Sequence, residues 1–315
     1  MTPDSDGKDP YYRTKLILCF ATVYLVWGST YLTTKIGVRE LPPFLFGAVR
    51  FIVGGSLLFL VACLLNVRSG LINPKISVQE FKNLLIVGFC SVLLSNSSNA
   101  WGLQYVASNK AALLNVSASF WIPILGMFGR RAQILSSRVI LALAIGFSGT
   151  LLIAWPNEVG TNSQIVSDHQ QWLPTIVILI GCLGWAVATI YQRNVVTNLD
   201  LLSFTGLQMF LGGFMMLILG LTGGELSRWH WTPTGMAALA YMTLISSGIA
   251  YAAYAWLSVH TTPAQVSTYG FVNPAIATLL GWIALDERLS KAQIIGMFVI
   301  LIAMLLMNWR NRSAA

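Results

Sequence analysis

The chain has 315 residues, of which 56% are hydrophobic and 10% are charged, and its net charge is +8. Because soluble domains average about 25% charged residues, this composition excludes a water-soluble globular protein. Apolar segments of about 20 residues, long enough to cross the hydrocarbon core of a bilayer, recur along the whole sequence. The composition therefore predicts a multi-pass membrane protein.

Ten apolar segments have the required length, and only α-helices satisfy their own backbone hydrogen bonds inside lipid at such lengths. We therefore predict an all-α polytopic membrane protein with ten transmembrane helices. The predicted spans are 16–34, 43–65, 83–106, 110–128, 136–155, 173–191, 201–222, 234–258, 263–284 and 290–309. Residues 1–15 and 310–315 are predicted to be tails.

The longest connection between spans is 156–172, and it contains Pro156 and Gly160, which are typical of a loop. We expect it to separate a first five-helix unit, 16–155, from a second one, 173–309.

The first span carries a one-sided polar face. Trp27, Thr30, Tyr31 and Thr34 follow the spacing i, i+3, i+4, i+7 and so share one side of a helix. Such a face fits either a cavity or a neighbouring helix, because Ser and Thr also pack between membrane helices.

Amides are concentrated in the third and fourth spans. Asn96 and Asn99 lie three residues apart, and Asn115 and Ser119 lie four apart. An unsatisfied amide in hydrocarbon costs several kcal/mol, so these side chains are predicted to face the bundle interior, where they are candidates for substrate binding.

Aromatic side chains mark one face of the sixth span, at Trp185, and of the eighth, at Tyr251 and Tyr254. Stripes of this kind are also common in helix packing. Combined with nearby amides and hydroxyls, they would suit a neutral or zwitterionic ligand with an apolar side chain.

The ninth span repeats polar residues every four positions, at Gln265, Tyr269 and Asn273. The following residue, Pro274, has no amide hydrogen and should free the carbonyl of Gly270. Pro123 should have the same effect in the fourth span. Interrupted helices line cavities in transporters, although a proline kink used only for packing is the alternative.

The spans contain no Asp or Glu, so a carboxylate proton relay is not expected. Lys35, Arg50 and Lys110 are the charged residues nearest the membrane interior, and we expect all three to extend to the interface. Lys35 or Lys110 could alternatively attract a substrate carboxylate.

Most of the 19 basic residues lie between spans, and they form no stripe with aromatics, so no nucleic-acid partner is expected. If the N-terminus is cytoplasmic, 12 of them face inward and 7 face outward. The positive-inside rule then favours cytoplasmic placement of both termini.

An internal repeat is visible, since residues 108–153 align without a gap with residues 262–307, and Ser136 falls on Ser290. A repeat unit of five helices is odd, so the second copy must enter the membrane from the opposite side. Inverted repeats of this kind place a substrate site between two halves, near the bilayer midplane.

Four segments also resemble EamA-type members of the drug/metabolite transporter superfamily, namely WGSTYLTTKIGV (27–38), PPFLFGAVRF (42–51), TPAQVSTYGFVNP (262–274) and LDERLS (285–290). The resemblance extends from the first span to the last. It implies an inner-membrane transporter with two inverted five-helix halves around a central cavity, in a family that exports amino acids and related metabolites.

We therefore predict a secondary transporter that exports small metabolites, most simply amino acids or related compounds, by alternating access. Export of other small organic or lipophilic compounds, or metabolite import, is the alternative. The spans contain no nucleophile with a base, no metal cluster and no paired carboxylates, so neither an enzyme nor a cofactor is expected. A functional monomer is the simpler prediction, and a dimer is the alternative.

Overall fold

The structure is a computed structural model that describes residues 11–68, 76–128, 135–154, 168–261 and 269–308. Besides a short 3₁₀ helix at Glu225–Arg228, these residues contain ten helical units, which we number α1 to α10. They are α1 (Tyr12–Glu40), α2 (Pro43–Arg68), α3 (Val78–Gly102), α4 (Ser108–Asn115 and Ala118–Leu125), α5 (Ser137–Ala154), α6 (Asp168–Asn194), α7 (Leu201–Thr222), α8 (Pro233–Ala240, Tyr241–Ala250 and Tyr251–His260 in succession), α9 (Tyr269–Leu285) and α10 (Lys291–Asn308).

Seven of these units are long and apolar enough to cross a membrane, and they are α1, α2, α3, α5, α6, α7 and α8. Shorter apolar helices lie within α9 and α10, at Val272–Leu285 and Lys291–Leu306. Together with the divided α4, they complete an all-helical membrane bundle, as the composition predicts.

The helix ends follow the capping chemistry of the sequence. The Ser77 hydroxyl accepts a hydrogen bond from the amide of Glu80, and the Glu80 carboxylate accepts one from the amide of Ser77, which starts α3 with a capping box. Asp200 caps α7 through the amide of Ser203. Ser290 caps α10 in the same way through Gln293. These contacts satisfy amides that the first helical turn leaves unpaired.

The contacts between helices follow a symmetric pattern, which stays the same when α1 to α5 are exchanged with α6 to α10. The most extensive contacts join α2 to α7 and α5 to α10. In addition, α1 packs on α8 and α9, while α6 packs on α3 and α4. Because each set of five is odd in number, the two halves run through the membrane in opposite directions, as an inverted repeat requires.

Glycines allow the two pairs of equivalent helices to cross closely. A Cβ at Gly55 in α2 would lie 2.6 Å from the carbonyl oxygen of Gly206 in α7, and one at Gly206 would lie 2.8 Å from that of Gly55. Gly149 in α5 and Gly296 in α10 show the same reciprocal contact. Small residues at such crossings are typical of membrane helices, whose association depends on close packing.

Two wider helical turns occupy equivalent places in the halves. The segment Phe89–Asn96 of α3 and the segment Tyr241–Ala250 of α8 have π-helical hydrogen bonding. Such segments often occur at functional sites because they change the direction of the side chains that follow. Periodicity based on 3.6 residues per turn does not reveal them.

Candidate substrate cavity

A cavity of about 150 Å³ lies between the two halves. Residues from α1, α2, α3, α4, α6, α8 and α9 surround it, so neither half builds it alone. Its lining consists of Trp27, Thr30, Tyr31, Thr34, Arg50, Ser95, Asn96, Asn99, Leu103, Ala112, Asn115, Val116, Ala118, Ser119, Ile122, Trp185, Ser246, Tyr251, Tyr269, Gly270, Asn273 and Pro274. We call it the central cavity.

The polar face of α1 borders the central cavity along its whole length. Trp27, Thr30, Tyr31 and Thr34 all belong to the lining. The Thr30 hydroxyl donates to the carbonyl oxygen of Trp27 at 2.6 Å, which is the local bond open to a helical threonine. This bond uses the hydroxyl hydrogen of Thr30, and the hydroxyl oxygen can still accept a hydrogen bond.

A reciprocal amide pair joins α3 to α4 beside the cavity. The amide nitrogen of Asn115 donates to Asn99 Oδ1 at 2.6 Å, and that of Asn99 donates to Asn115 Oδ1 at 3.3 Å. Each nitrogen also donates to a carbonyl one turn earlier, Ser95 or Ala111. Both donors of each amide are thus used, and only oxygen lone pairs remain for a ligand.

The proline-containing helices meet at the cavity. A Cβ at Gly270 in α9 would lie 3.3 Å from the Ser119 hydroxyl oxygen in α4, so the glycine permits this approach. However, α4 is interrupted at Val116 and Ser117 rather than at Pro123. Local bonds from each amide to the third carbonyl before it replace the regular pattern there.

In α9 the helix continues through Pro274 from Tyr269 to Leu285. The expected interruption at this proline is therefore wrong, because a helix can pass a proline when neighbouring groups satisfy the freed carbonyl. The amide nitrogen of Asn273, oriented toward acceptors, lies 3.2 Å from the carbonyl oxygen of Tyr269 and 3.3 Å from that of Tyr24 in α1. This side chain holds α9 against α1.

Four aromatic rings from three helices form one cluster at the edge of the cavity, which we call the aromatic cluster. The ring centre of Trp27 lies 5.3 Å from Tyr251, 4.9 Å from Tyr254 and 5.3 Å from Tyr269. Tyr254 and Tyr269 are 6.0 Å apart at a steep angle. Edge-to-face contacts at these distances are favourable, so the rings form a packed wall.

A second cavity, of about 350 Å³, is lined by Tyr251 and Tyr254 of this cluster. Trp185 and Tyr251 line both cavities. The second cavity extends toward the end of the bundle where α6 ends and α7 begins, and its lining includes Arg193 and Leu201. We call this end, which also carries Tyr12, the N-terminal end, and the opposite one the far end.

Three basic side chains that were expected at the interface are buried instead. Arg50, Lys35 and Lys110 are 8%, 8% and 5% exposed. The Lys35 ammonium donates to the carbonyl oxygen of Val106. Arg50 is one of the residues that line the central cavity, and its Nε donates to Ser247 Oγ at 2.9 Å and its Nη2 to Ser246 Oγ at 3.3 Å. Hydrogen bonds inside the bundle replace those that water would have supplied.

Buried carboxylates join helices at the far end of the bundle. Glu287, which follows α9, accepts hydrogen bonds from the Ser108 amide at 2.8 Å, the Ser108 hydroxyl at 2.7 Å and the Asn109 amide at 3.1 Å, at the start of α4. Glu225 accepts from the Leu45 amide at 2.8 Å at the start of α2. Burial raises the pKa of Glu225, and the amide hydrogen bonds oppose that shift.

The structure brings most of the predicted site residues together around the central cavity. Two are exceptions, because Tyr254 lines the second cavity and Gln265 lies outside the described residues. Sequence reasoning missed Arg50, Ser95 and Ser246 in the lining. The charge of Arg50 inside an apolar span was the one available signal. Binding by any of these residues stays a prediction.

Both halves match one protein-family model, the EamA-like transporter family, over residues 14–155 and 172–309. The chain belongs to the EamA-like transporter family. This EamA-like protein is 28% identical over 288 residues to the uncharacterized inner membrane transporter YedA of Escherichia coli K12, which covers 91% of this chain and 88% of YedA. It is 21% identical to the uncharacterized transporter YoaV of Bacillus subtilis, over 91% and 94% of the two chains.

A solved crystal structure has the same fold as this EamA-like protein. The TM-score is 0.63 at 16% sequence identity, and the match covers 93% of this chain and 98% of the other. The family membership makes the chain a multi-pass secondary transporter of a small molecule, and not an enzyme.

Proposed function

We propose that this transporter exports small metabolites, amino acids or related compounds, by alternating access of its two halves around the central cavity. The supporting observation is a cavity shared by both halves, with hydroxyls and amide oxygens beside aromatic rings. Polar groups of this kind can meet the charged backbone groups of an amino acid, while Trp27, Tyr269 and their neighbours can pack on its side chain.

The proposed pathway runs from the second cavity at the N-terminal end, past Trp185 and Tyr251, into the central cavity. The hydrogen bonds of Glu287 and Lys35 at the far end support a conformation in which the central cavity does not connect to that side. We place the N-terminal end in the cytoplasm, with both termini there, in the inner membrane. Substrate would then enter from the cytoplasm and leave when the far end opens.

The proposed binding residues are those predicted from the sequence that line the cavities.

Export of lipophilic cations is a poorer fit. The described residues that line the central cavity include Arg50 and no carboxylate, so a cation would meet a like charge. Import remains the alternative direction.

Counterflow in proteoliposomes tests the proposal. Purified protein should show uptake of a labelled amino acid that rises when the same amino acid is loaded inside. Tyr269→Ala should reduce this uptake, because it removes a ring of the cavity wall, whereas Leu60→Ala on the exposed outer face of α2 should not. Expression in cells should raise the external concentration of the same amino acid, which separates export from import.

Absence of counterflow for small, branched and aromatic amino acids, from protein that runs as one folded species, would contradict the amino-acid proposal. Equal uptake by the Tyr269 and wild-type proteins would contradict the proposed role of the aromatic cluster.

A further inference from the structure

Arg50 is a buried cation whose described partners are all neutral. It is 8% exposed, and its two hydrogen bonds go to the hydroxyls of Ser246 and Ser247. Its guanidinium carbon lies 4.4 Å from the ring centre of Phe51. Within the described ranges, no carboxylate lies at ion-pair distance from it. Buried charges in proteins are usually paired, so this one lacks the expected counter-charge.

Some of the N–H groups of Arg50 also lack an acceptor among the described residues. A guanidinium has five N–H groups, and the described residues accept from Nε and from one hydrogen of Nη2. Both hydrogens of Nη1 and the second of Nη2 have no protein acceptor there. Adjacent donors on the two terminal nitrogens form the fork that binds a carboxylate or another oxyanion through two parallel bonds.

The surroundings hold the side chain in place. Ser246 and Ser247 are fully buried in the π-helical segment of α8. Gly54, one turn after Arg50, brings α2 against that segment, since a Cβ there would lie 2.8 Å from the Ser247 Cβ. Arg50 is thus fixed on its Nε side by α8, while the residue lines the central cavity.

We propose that Arg50 is an anion-binding subsite of the central cavity and that the transported substrate carries a carboxylate, which forms a two-point ion pair with the guanidinium. The substrate supplies the counter-charge that the protein lacks. The aromatic cluster then faces the apolar part of the substrate. This inference rests on the proposed function only in taking the central cavity as the transport site.

Binding to the full-length protein in detergent tests the subsite without relying on flux. The probes are L-phenylalanine and L-leucine, their amides, which lack the carboxylate, and phenylacetate with its neutral counterpart phenylacetamide. Quenching of tryptophan fluorescence reports binding, since Trp27 and Trp185 line the cavity. For wild type we expect each bound acid to exceed its amide in affinity by at least about tenfold, as for a buried ion pair.

Arg50→Gln should remove that preference, so that acid and amide bind alike, and Arg50→Lys should retain part of it because the charge stays while the fork is lost. Arg288→Gln is the matched control, since Arg288 is exposed at the far end, and it should keep the wild-type ratio. Where Arg50→Gln fails to fold, equal affinities for acid and amide in wild type, or an unreduced acid preference in Arg50→Lys, would overturn the subsite.

Different outcomes separate this inference from the proposed function. Binding of phenylacetate over phenylacetamide without binding of amino acids would support the subsite and contradict the amino-acid proposal. Equal binding of amino acids and their amides by wild type would support the amino-acid cavity and overturn the subsite. An Arg50→Gln protein that melts at lower temperature yet keeps the acid preference would show that Arg50 is a structural link between α2 and α8. That result would also overturn the subsite.

Discussion

Glu287 binds Ser108 twice, through the backbone amide at 2.8 Å and through the hydroxyl at 2.7 Å, so a carboxylate of the second half caps a helix of the first. The start of a helix carries unpaired amides and a partial positive charge, which a carboxylate stabilises. Lys35 lies near enough to Glu287 to interact with it electrostatically. Contacts between the halves therefore join them at the far end.

Glu287→Gln should weaken these contacts, because the substitution removes the charge and turns an amide group toward three donors. We expect a loss of stability of about 1–3 kcal/mol, seen as a lower melting temperature in detergent. Asp286→Asn is the control, since this neighbouring carboxylate is exposed and faces Arg288. Equal melting temperatures for the two variants would contradict the capping role.

The crossing of α2 and α7 should tolerate no side chain. Gly55→Ala would place a methyl group 2.6 Å from the Gly206 carbonyl oxygen and 2.7 Å from the Phe210 amide. Because backbone must move, we expect destabilisation of about 1–3 kcal/mol, the usual range for overpacking, measured by thermal unfolding.

Gly248→Ala provides the matched test, since its nearest neighbour, the Thr243 carbonyl oxygen, lies 3.7 Å away. This change should be neutral or slightly stabilising. A Gly55→Ala protein as stable as wild type would mean that the two helices can separate without loss.

The amide pair of Asn99 and Asn115 should behave as one unit. Asn99→Ala leaves the Asn115 amide nitrogen without one of its acceptors, and we expect this to cost about 1–3 kcal/mol. Asn115→Ala should cost a similar amount. The double variant should cost less than the sum of the two, because the shared bond is lost only once. Additive losses in thermal unfolding would show that the amides act independently.

Trp185 should limit access between the two cavities, because its side chain lines both. In a protein with Ser119 changed to Cys and the native cysteines replaced, Trp185→Ala should raise the rate of labelling by a water-soluble maleimide several-fold. Trp282→Ala, an exposed tryptophan on α9, should leave the rate unchanged. An unchanged rate in the Trp185 variant would place the barrier elsewhere.

The pattern of apolar and polar residues within single spans was enough to predict the helical fold and one face of the cavity. Apolar segments of membrane length predict an all-helical bundle, and the spacing of Trp27, Thr30, Tyr31 and Thr34 identifies a face that does border the cavity. Both features depend on neighbouring residues along one helix. For this reason the sequence was sufficient for them.

Tertiary packing decided the features that depend on another helix. Arg50 can be buried because two serines of a π-helical segment, almost 200 positions away, accept hydrogen bonds that water would otherwise accept. The interruption of α4 falls at Val116 and Ser117 rather than at Pro123, and Tyr254 faces the second cavity. The spacing within a span indicates which residues share one face of a helix. Which helix or cavity that face contacts is decided by the packing of the two halves.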